Sequence, residues 1–332
     1  MTDSVVIAAG GTGGHLVPAL AIAAALDERA PGVTISFIGT ARELDQTLIN
    51  AAGYRIHRTS VAPFKRDLRG IVAAASMLPA TAQARRILRS EGASVVVGMG
   101  GYPSLPVVTA ARLARLPALI HEGNAIPGLA NEAAARLTTN IAVSFPETVR
   151  LFRGRSPRLV GLPMRKAITR FSREALRSEA LESFGLSPEL TTVLVFGGSL
   201  GAARLNEAAI GLAARWSARE DVQMIIVTGS VHDTDVRARI EPVGLPAVLV
   251  PLPIARRKEQ HANARMLVDA GAATLVEDAS ATPDHLDSVI APILGEPAAR
   301  AHMADAARSV SRPDAADAMA SWIMSLAEAR RA

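Results

Sequence analysis

Short apolar runs that end near glycine alternate along the chain with alanine- and arginine-rich stretches of helical periodicity. The apolar runs predict strands at Ser4–Ala8, Thr34–Ile38, Ser94–Val97, Ala118–Ile120, Asn140–Val143, Val193–Phe196, Met224–Val227, Ala247–Val250 and Ala273–Leu275. Helical patterns lie between most of them, for example at Pro18–Arg29, Ile71–Arg89 and Asn131–Leu137. Continuous Val/Ile/Leu runs are typical of parallel strands that are buried on both faces. The alternation therefore predicts an α/β fold with parallel sheets.

The arrangement of strand, glycine loop and helix occurs twice, at Ser4–Gly14 and again at Val193–Gly201. Between the two, the pattern lapses into Pro, Gly and Arg around Arg158–Lys166, and a polar helical stretch follows at Arg170–Phe184. A chain of 332 residues suits two domains. We therefore predict two similar doubly wound domains that face each other, residues 1–160 and 161–332, with the ligand between them.

The amino-acid composition excludes several kinds of site and suggests possible partners. The chain has no cysteine, which excludes disulfides, thiolate catalysis and Cys-ligated zinc and fits a reducing compartment. Of its 36 basic residues only Lys65, Lys166 and Lys258 are lysines, and the net charge is +5. The planar guanidinium suits phosphate, so charge alone leaves nucleic acid, an anionic membrane and a phosphorylated substrate open as partners. The long uncharged stretches are broken by Gly and Pro, which argues against a membrane span.

Three polar loops follow predicted strands in the first half. The first loop is Ala8–His15 (AAGGTGGH), the second is Gly98–Tyr102 (GMGGY) and the third is His121–Asn131 (HEGNAIPGLAN). Ligands of open α/β sheets bind at the carboxyl ends of the strands, where these loops begin. The first loop brings backbone N–H groups to a helix start and suits an anion or a sugar, although a tight strand–helix turn would need the same glycines. Leu16 occupies the third-glycine position, so the dinucleotide fingerprint fails.

The second half offers fewer polar positions. The segment Val193–Ala208 repeats the glycine loop, and Ser199 could donate to a phosphate oxygen at a helix N-terminus. Further on, Gln260 and Asn263 are three residues apart and share one face of a predicted helix start.

Six motifs in one order cover nearly the whole chain: GGTGGH, GMGGY, HEGN, GLPMR, GGSLGA and KEQHANA. In order and approximate spacing they resemble the MurG family of bacterial glycosyltransferases. That family moves N-acetylglucosamine from UDP-GlcNAc to the undecaprenyl-diphosphate-linked muramoyl-pentapeptide, lipid I, and so makes lipid II for peptidoglycan. The resemblance implies a GT-B-like α/β fold, an acceptor and membrane-facing domain at 1–160, and a UDP-sugar domain at 161–332.

The resemblance also implies which residues form the site. His15 is the candidate base, with an ordinary pKa near 6.5, and Glu122 is the second choice for that role. Arg165 and the Ser199 loop would stabilise the leaving diphosphate, and we expect no metal and no cofactor. The remaining substrate-binding candidates are Thr12, Gly13, Gly14, Tyr102, Asn124, Gln260 and Asn263.

One departure from the family pattern concerns the second domain. Only 15 positions separate Gly229 from Gly244, where the family has roughly 40 more residues that form two βα units. The missing part is where the family contacts uracil and ribose, and no residue here inherits those roles. We therefore expect a shortened domain near residues 230–244 and a gap in its sheet between the strands at Met224 and Ala247.

Three functions remain open at this point. The first is an active transferase, and the second is a non-catalytic relative that binds lipid-linked cell-wall intermediates or partner proteins. The third, a nucleotide-binding oxidoreductase, is disfavoured by the failed fingerprint. The basic and apolar segment Phe64–Arg89 favours a peripheral location on the cytoplasmic face of an anionic membrane, although a core-facing helix with an arginine-rich end fits it equally. We expect no nucleic-acid partner.

Overall fold

The computed structural model describes residues 3–10, 13–59, 68–197, 202–227, 247–249 and 259–331. They form two compact units. Unit 1 comprises Met1–Arg165 and Arg312–Ala332, and unit 2 comprises Lys166–Ser311. Along the chain, the boundary between the units therefore falls after Arg165, five residues later than the predicted boundary at 160. The last residues of the chain, from Arg312 on, belong to unit 1.

The described strands are β1 Ser4–Ala8, β2 Thr34–Gly39, β3 Arg55–Arg58, β4 Val95–Gly98, β5 Ala118–Glu122, β6 Asn140–Val143, β7 Arg158–Leu159, β8 Thr191–Phe196, β9 Val222–Val227, β10 Ala247–Leu249 and β11 Ala273–Leu275. The described helices are α1 Gly13–Arg29, α2 Glu43–Ala51, α3 Leu68–Ser90, α4 Ser104–Leu113, α5 Leu129–Ala134, α6 Pro146–Leu151, α7 Lys166–Thr169, α8 Arg173–Ser183, α9 Ala203–Arg215, α10 Glu259–Asp269, α11 Pro283–Gly295, α12 Pro297–Val310 and α13 Ala315–Arg331. Among the described residues, no helix combines the length and the hydropathy that a membrane span requires.

Unit 1 is built on one parallel sheet with the strand order β3-β2-β1-β4-β5-β6-β7. Because the order reverses between β1 and β4, the carboxyl ends of these two strands flank the topological switch point of a doubly wound fold. The apolar pattern did not predict β3 and β7. Both strands are at the edges of the sheet, and β3 has the mostly polar sequence RIHR.

Both faces of this sheet are covered, which explains the continuous apolar run of β1. Val5 and Ile7 belong to one core cluster, together with residues of α1 and α13, whereas Val6 and Ala8 belong to another, with residues of α3, α4 and α5. Side chains of a strand alternate between the two faces of its sheet, so a strand covered by helices on both sides needs apolar residues at every position.

The C-terminal helix α13 is part of unit 1, in contrast to the predicted domain 161–332. Its residues Met319, Ala320 and Ile323 are fully buried in the core cluster that α1 also lines. Arg330 Nη1 donates to the carbonyl oxygen of Ala93 at 2.7 Å, which ties the helix to the turn before β4. The chain therefore returns to its first unit after unit 2 is complete.

Unit 2 contains two separate strand pairs, β8 with β9 and β10 with β11, among the described residues. In unit 1, β4 pairs with β1 on the side away from β2. The equivalent strand in unit 2 would join β8 to β10, and no described strand does so. Leu194 of β8 is 53% exposed, whereas β1 is buried along its whole length. The expected gap between the strands at Met224 and Ala247 stays a prediction, because residues 228–246 lie outside the described part of the chain.

Candidate functional site

The first and second loops meet at the carboxyl ends of β1 and β4. A Cβ on Gly100 would lie 3.1 Å from His15 Nε2, and a Cβ on Gly101 would lie 2.9 Å from the Gly10 carbonyl oxygen. Both glycines have positive φ, +90° and +71°, which side chains rarely adopt. The GMGGY motif therefore needs its glycines so that its backbone can pack against His15 and the first loop.

His15 lies in the first turn of α1 and is half-buried. Burial lowers its pKa to about 4, and the charge of Asp45 partly offsets this effect. The sequence argument assumed the ordinary value of 6.5, so His15 is a weaker base than predicted. The imidazole is neutral at every pH above about 5, but it accepts a proton less readily than an exposed histidine.

Asp45 is a site residue that the sequence analysis missed. It lies on α2 and is buried, and its Oδ2 accepts a hydrogen bond from Thr40 Oγ1 at 2.5 Å. A Cβ on Gly10 would lie 2.7 Å from the same oxygen, so the carboxylate packs against the start of the first loop. An acidic residue in the first turn of a helix is expected for the helix dipole alone, which left no sequence signal for this contact.

Glu122 ends β5 and is buried within the third loop. Its Oε1 accepts hydrogen bonds from Asn124 N (2.9 Å) and Asn124 Nδ2 (3.0 Å), and its Oε2 accepts from Gly128 N and Asn131 Nδ2, both at 2.9 Å. Burial raises its pKa, and these four donors counteract the rise. Both carboxylate oxygens already accept hydrogen bonds, and only 1% of the residue is exposed. We therefore correct the prediction that Glu122 is an alternative base. Glu122 is a positioning residue that shapes the third loop.

Two buried residues link the third loop to its surroundings, and neither was a sequence candidate. Asn131 Nδ2 also donates to the carbonyl oxygen of His121 at 2.9 Å. His121 Nε2 is 3.0 Å from the carbonyl oxygen of Gly161, at the start of the GLPMR segment. Burial lowers the pKa of His121 to about 4, so the ring is neutral and its Nε2–H donates to that carbonyl. The third loop is thereby fixed to the segment that leads out of unit 1.

The other candidates are distributed over both units. In unit 1, Gly13 and Gly14 open α1, Tyr102 is half-buried in the second loop, and Arg165 is exposed as the last residue before α7. In unit 2, Gln260 and Asn263 lie on α10 as predicted, the first half-buried and the second buried. Thr12 and Ser199 lie outside the described residues. The described part of the chain contains no group of three or more His, Asp or Glu side chains that could hold a metal ion.

The chain matches glycosyltransferase family 28 in both halves. Residues 5–143 match its N-terminal domain. Residues 192–243 and 238–319 match its C-terminal domain as two pieces that overlap at residues 238–243. The overlap falls in the shortened connection, as expected if a segment of the family's domain is absent there.

Curated relatives match along almost the full chain. A "UDP-N-acetylglucosamine--N-acetylmuramyl-(pentapeptide) pyrophosphoryl-undecaprenol N-acetylglucosamine transferase" of Clavibacter sepedonicus is 36% identical over an alignment of 351 residues, gaps included. The alignment covers 96% of this chain and 95% of that protein. The protein of the same name from Streptomyces coelicolor is 36% identical over 365 residues, covering 98% of this chain and 99% of that protein.

Solved structures show the same fold. MurG of Acinetobacter baumannii superimposes with a TM-score of 0.76 at 24% identity, covering 98% of this chain and 100% of that chain. A UDP-GlcNAc 2-epimerase from Neisseria meningitidis bound to UDP-GlcNAc gives a TM-score of 0.66 at 12% identity, covering 97% and 100%. The predicted GT-B-like α/β fold class is thus confirmed. The chain belongs to glycosyltransferase family 28 and, within it, to the MurG family.

Proposed function

We propose that this chain is an inverting glycosyltransferase that moves N-acetylglucosamine from UDP-GlcNAc to lipid I and so forms lipid II in peptidoglycan synthesis. The observation that carries the proposal is the first and second loops packed around His15, in a chain whose relatives bear the name of that transferase. The non-catalytic alternative is not favoured, because the relatives that match almost the full chain bear the name of a transferase. No observation favours the oxidoreductase.

The reaction needs a proton acceptor and a stabilised leaving group. The acceptor hydroxyl would attack the anomeric carbon, forming a new C–O bond as the bond from that carbon to the diphosphate breaks. His15 would take the hydroxyl proton, and the charge of buried Asp45 would stabilise the imidazolium that forms. The resemblance assigns Arg165 and Ser199 to the diphosphate of departing UDP, and Gln260 and Asn263 to the donor sugar.

Acceptor-dependent transfer tests this proposal. The purified chain is incubated with labelled UDP-GlcNAc and a soluble lipid I analogue, and the disaccharide product and released UDP are measured together. We expect equal amounts of both and inverted configuration at the anomeric carbon. Binding of the acceptor without any product would favour the non-catalytic alternative.

The pH dependence of the reaction follows from the lowered pKa of His15. The active form is the unprotonated base, so kcat/KM should stay constant as the pH falls from 8 to about 5 and decline only around pH 4. An exposed histidine would give the decline near 6.5. A pH profile with circular dichroism recorded at each point separates loss of the base from acid unfolding. An acid limb at 6.5 in folded protein would contradict the assignment.

We further propose that unit 1 binds an anionic membrane surface peripherally. Leu78 on α3 is 82% exposed and Leu113 on α4 is 60% exposed, and Arg85, Arg86 and Arg89 are exposed on α3. Exposed apolar side chains beside arginines suit the interface of an anionic bilayer. Residues 60–67, with Phe64, Lys65 and Arg66, lie outside the described part, as do the side chains of 68–76. Since Ala80, Ala84 and Leu88 are buried, α3 also has the core-facing side of the alternative interpretation.

Vesicle sedimentation tests the membrane proposal. We expect greater recovery with anionic than with neutral vesicles, reduced at high salt because exposed charges are screened. Replacing both Leu78 and Leu113 with glutamine should lower recovery further, whereas the same change at exposed Leu176 of unit 2 serves as the control. Equal recovery with neutral and anionic vesicles would remove the electrostatic part of the proposal.

A further inference from the structure

Two buried polar side chains, Thr40 and Asp45, lie beside the first loop at the carboxyl end of β2. Thr40 directly follows β2, and Asp45 lies in the first turn of α2. They are 3% and 1% exposed, respectively. A Cβ on Gly10 would lie 2.7 Å from Asp45 Oδ2 and 3.2 Å from Thr40 Cγ2, so both side chains pack against that glycine. Because the Gly10 carbonyl oxygen packs against Gly101 of the second loop, Gly10 connects this pair to the loops that surround His15.

The hydrogen bonds of Thr40 run in one direction. The backbone N–H of Arg42 can only donate, and it donates to Thr40 Oγ1 at 3.2 Å. The single hydroxyl proton of Thr40 is donated to Asp45 Oδ2 at 2.5 Å. An ionised carboxylate only accepts hydrogen bonds, so this short series of donors suits a charged Asp45 and holds it in one orientation.

His15 lies where a positive charge is unfavourable for two reasons. Burial lowers its pKa to about 4, and its place in the first turn of α1 puts the imidazole near the positive end of the helix dipole. A base that takes up a proton passes through the imidazolium form, and the charge of Asp45 acts in favour of that form. His121 on β5 also interacts electrostatically with His15, but burial lowers the pKa of His121 to about 4 and leaves it neutral at pH 7. Asp45 is thus the negative charge that favours the protonated base.

A local role in the turn before α2 offers a simpler explanation for these two residues. A threonine hydroxyl that accepts from the N–H two residues later is common in turns, and an acidic residue at a helix start suits the helix dipole. The turn uses only the acceptor side of the Thr40 hydroxyl, however, and leaves its donated proton unexplained. The helix dipole is served equally well by an exposed carboxylate such as Glu43, whereas Asp45 is buried against the first loop. The local role therefore accounts for part of the arrangement only.

We propose that Thr40 is a positioning residue that holds the Asp45 carboxylate against the first loop, where the pair stabilises the protonated form of the base His15. The inference rests on the proposed function, in which His15 accepts the proton of the acceptor hydroxyl. It deepens that function by naming the residues that make a buried imidazole a competent base. Neither Thr40 nor Asp45 needs to touch substrate, because both act through the electrostatic field at His15.

NMR titration of the His15 imidazole in the whole chain tests the proposal without requiring turnover. The His15 signal is assigned by its absence in His15→Ala, and circular dichroism at each pH confirms folded protein. At pH 4 we expect the imidazole to be about half protonated in the parent and mostly neutral in Asp45→Asn, whose amide oxygen still accepts from Thr40 although the charge is lost. Thr40→Val should change the titration in the same direction. Thr40→Ser keeps the hydroxyl and should titrate as the parent does.

The matched control is Asp27→Asn, which removes an equal charge from α1 itself. Asp27 accepts a hydrogen bond from Tyr54 at 2.6 Å and lies about 18 Å along the helix from His15, so the His15 titration should not change.

Turnover gives a second readout. Asp45→Asn and Thr40→Val should lower kcat up to about tenfold at pH 7.5 without changing the affinity for UDP-GlcNAc, whereas Thr40→Ser should keep the parent's kcat. An unchanged His15 titration in Asp45→Asn or in Thr40→Val, or an equal change in Asp27→Asn, would overturn the proposal. Absence of transfer by the parent would contradict the proposed function, and the titration would still decide whether Thr40 and Asp45 act on His15.

Discussion

Replacing His15 with alanine is expected to lower kcat by about 10²–10⁴-fold and to leave the affinity for UDP-GlcNAc nearly unchanged. A general base acts in the transition state, so its loss removes roughly 3–5 kcal/mol of transition-state stabilisation. The resemblance assigns ground-state donor contacts mainly to unit 2, and His15 belongs to unit 1. Steady-state rates at saturating acceptor, combined with calorimetric donor titration, separate the two effects.

The matched control for this experiment is His285→Ala. His285 is an exposed histidine of α11 in unit 2, and its replacement should change kcat by less than about twofold. A near-normal rate in His15→Ala would contradict the assignment of the base. The role could not then pass to Glu122, because both of its carboxylate oxygens are already engaged by donors of its own loop.

The second large effect concerns the nucleotide. We expect UDP to bind about 10²–10⁶ times more weakly than to relatives with a full-length second domain, because two or three hydrogen bonds at about 1.5–3 kcal/mol each are absent. The resemblance places the family's uracil and ribose contacts in the segment that is shortened here, and the two pieces that match the family's C-terminal domain join in that connection. A remaining diphosphate loop would not distinguish one base from another.

Titration of UDP, GDP and ADP side by side measures this expectation. The three dissociation constants should agree within about tenfold, since a phosphate site reads charge and not the base. A full-length relative titrated in the same buffer provides the reference. Micromolar and uridine-selective binding by this chain would show that another segment reads the base, and the argument from the missing segment would be wrong.

The sequence predicted most of unit 1 because its strands are apolar throughout. Val5 to Ala8 alternate between two covered faces, which only a parallel sheet inside helices requires. Edge strands are buried on fewer sides, so RIHR at β3 carries no such pattern. The partner of α13 could not be predicted either. Its amphipathic sequence fixes which side is buried, but not that the burial is against α1, almost 300 residues earlier.

The sequence predicted which kinds of residue form the candidate site, but not what each of them does there. The sequence placed His15 in the loop before a helix at Pro18–Arg29, whereas it lies in the first turn of α1. The lowered pKa of His15 depends on burial that no local pattern encodes. Glu122 resembled a base because a carboxylate follows a strand, yet Asn124, Gly128 and Asn131 of its own loop take up its oxygens. Asp45 gave no signal, because its contact with Gly10 joins helix α2 to the first loop, which a local pattern does not encode.

The most direct test of the account is the rate of N-acetylglucosamine transfer as a function of UDP-GlcNAc concentration. It compares this chain with a version in which a family-length segment is inserted between Gly229 and Gly244. The account predicts transfer by both proteins, with similar kcat and a KM at least about 10²-fold higher in the parent chain, since uniform donor binding affects KM. Absence of transfer by both proteins, or equal KM values, would contradict it.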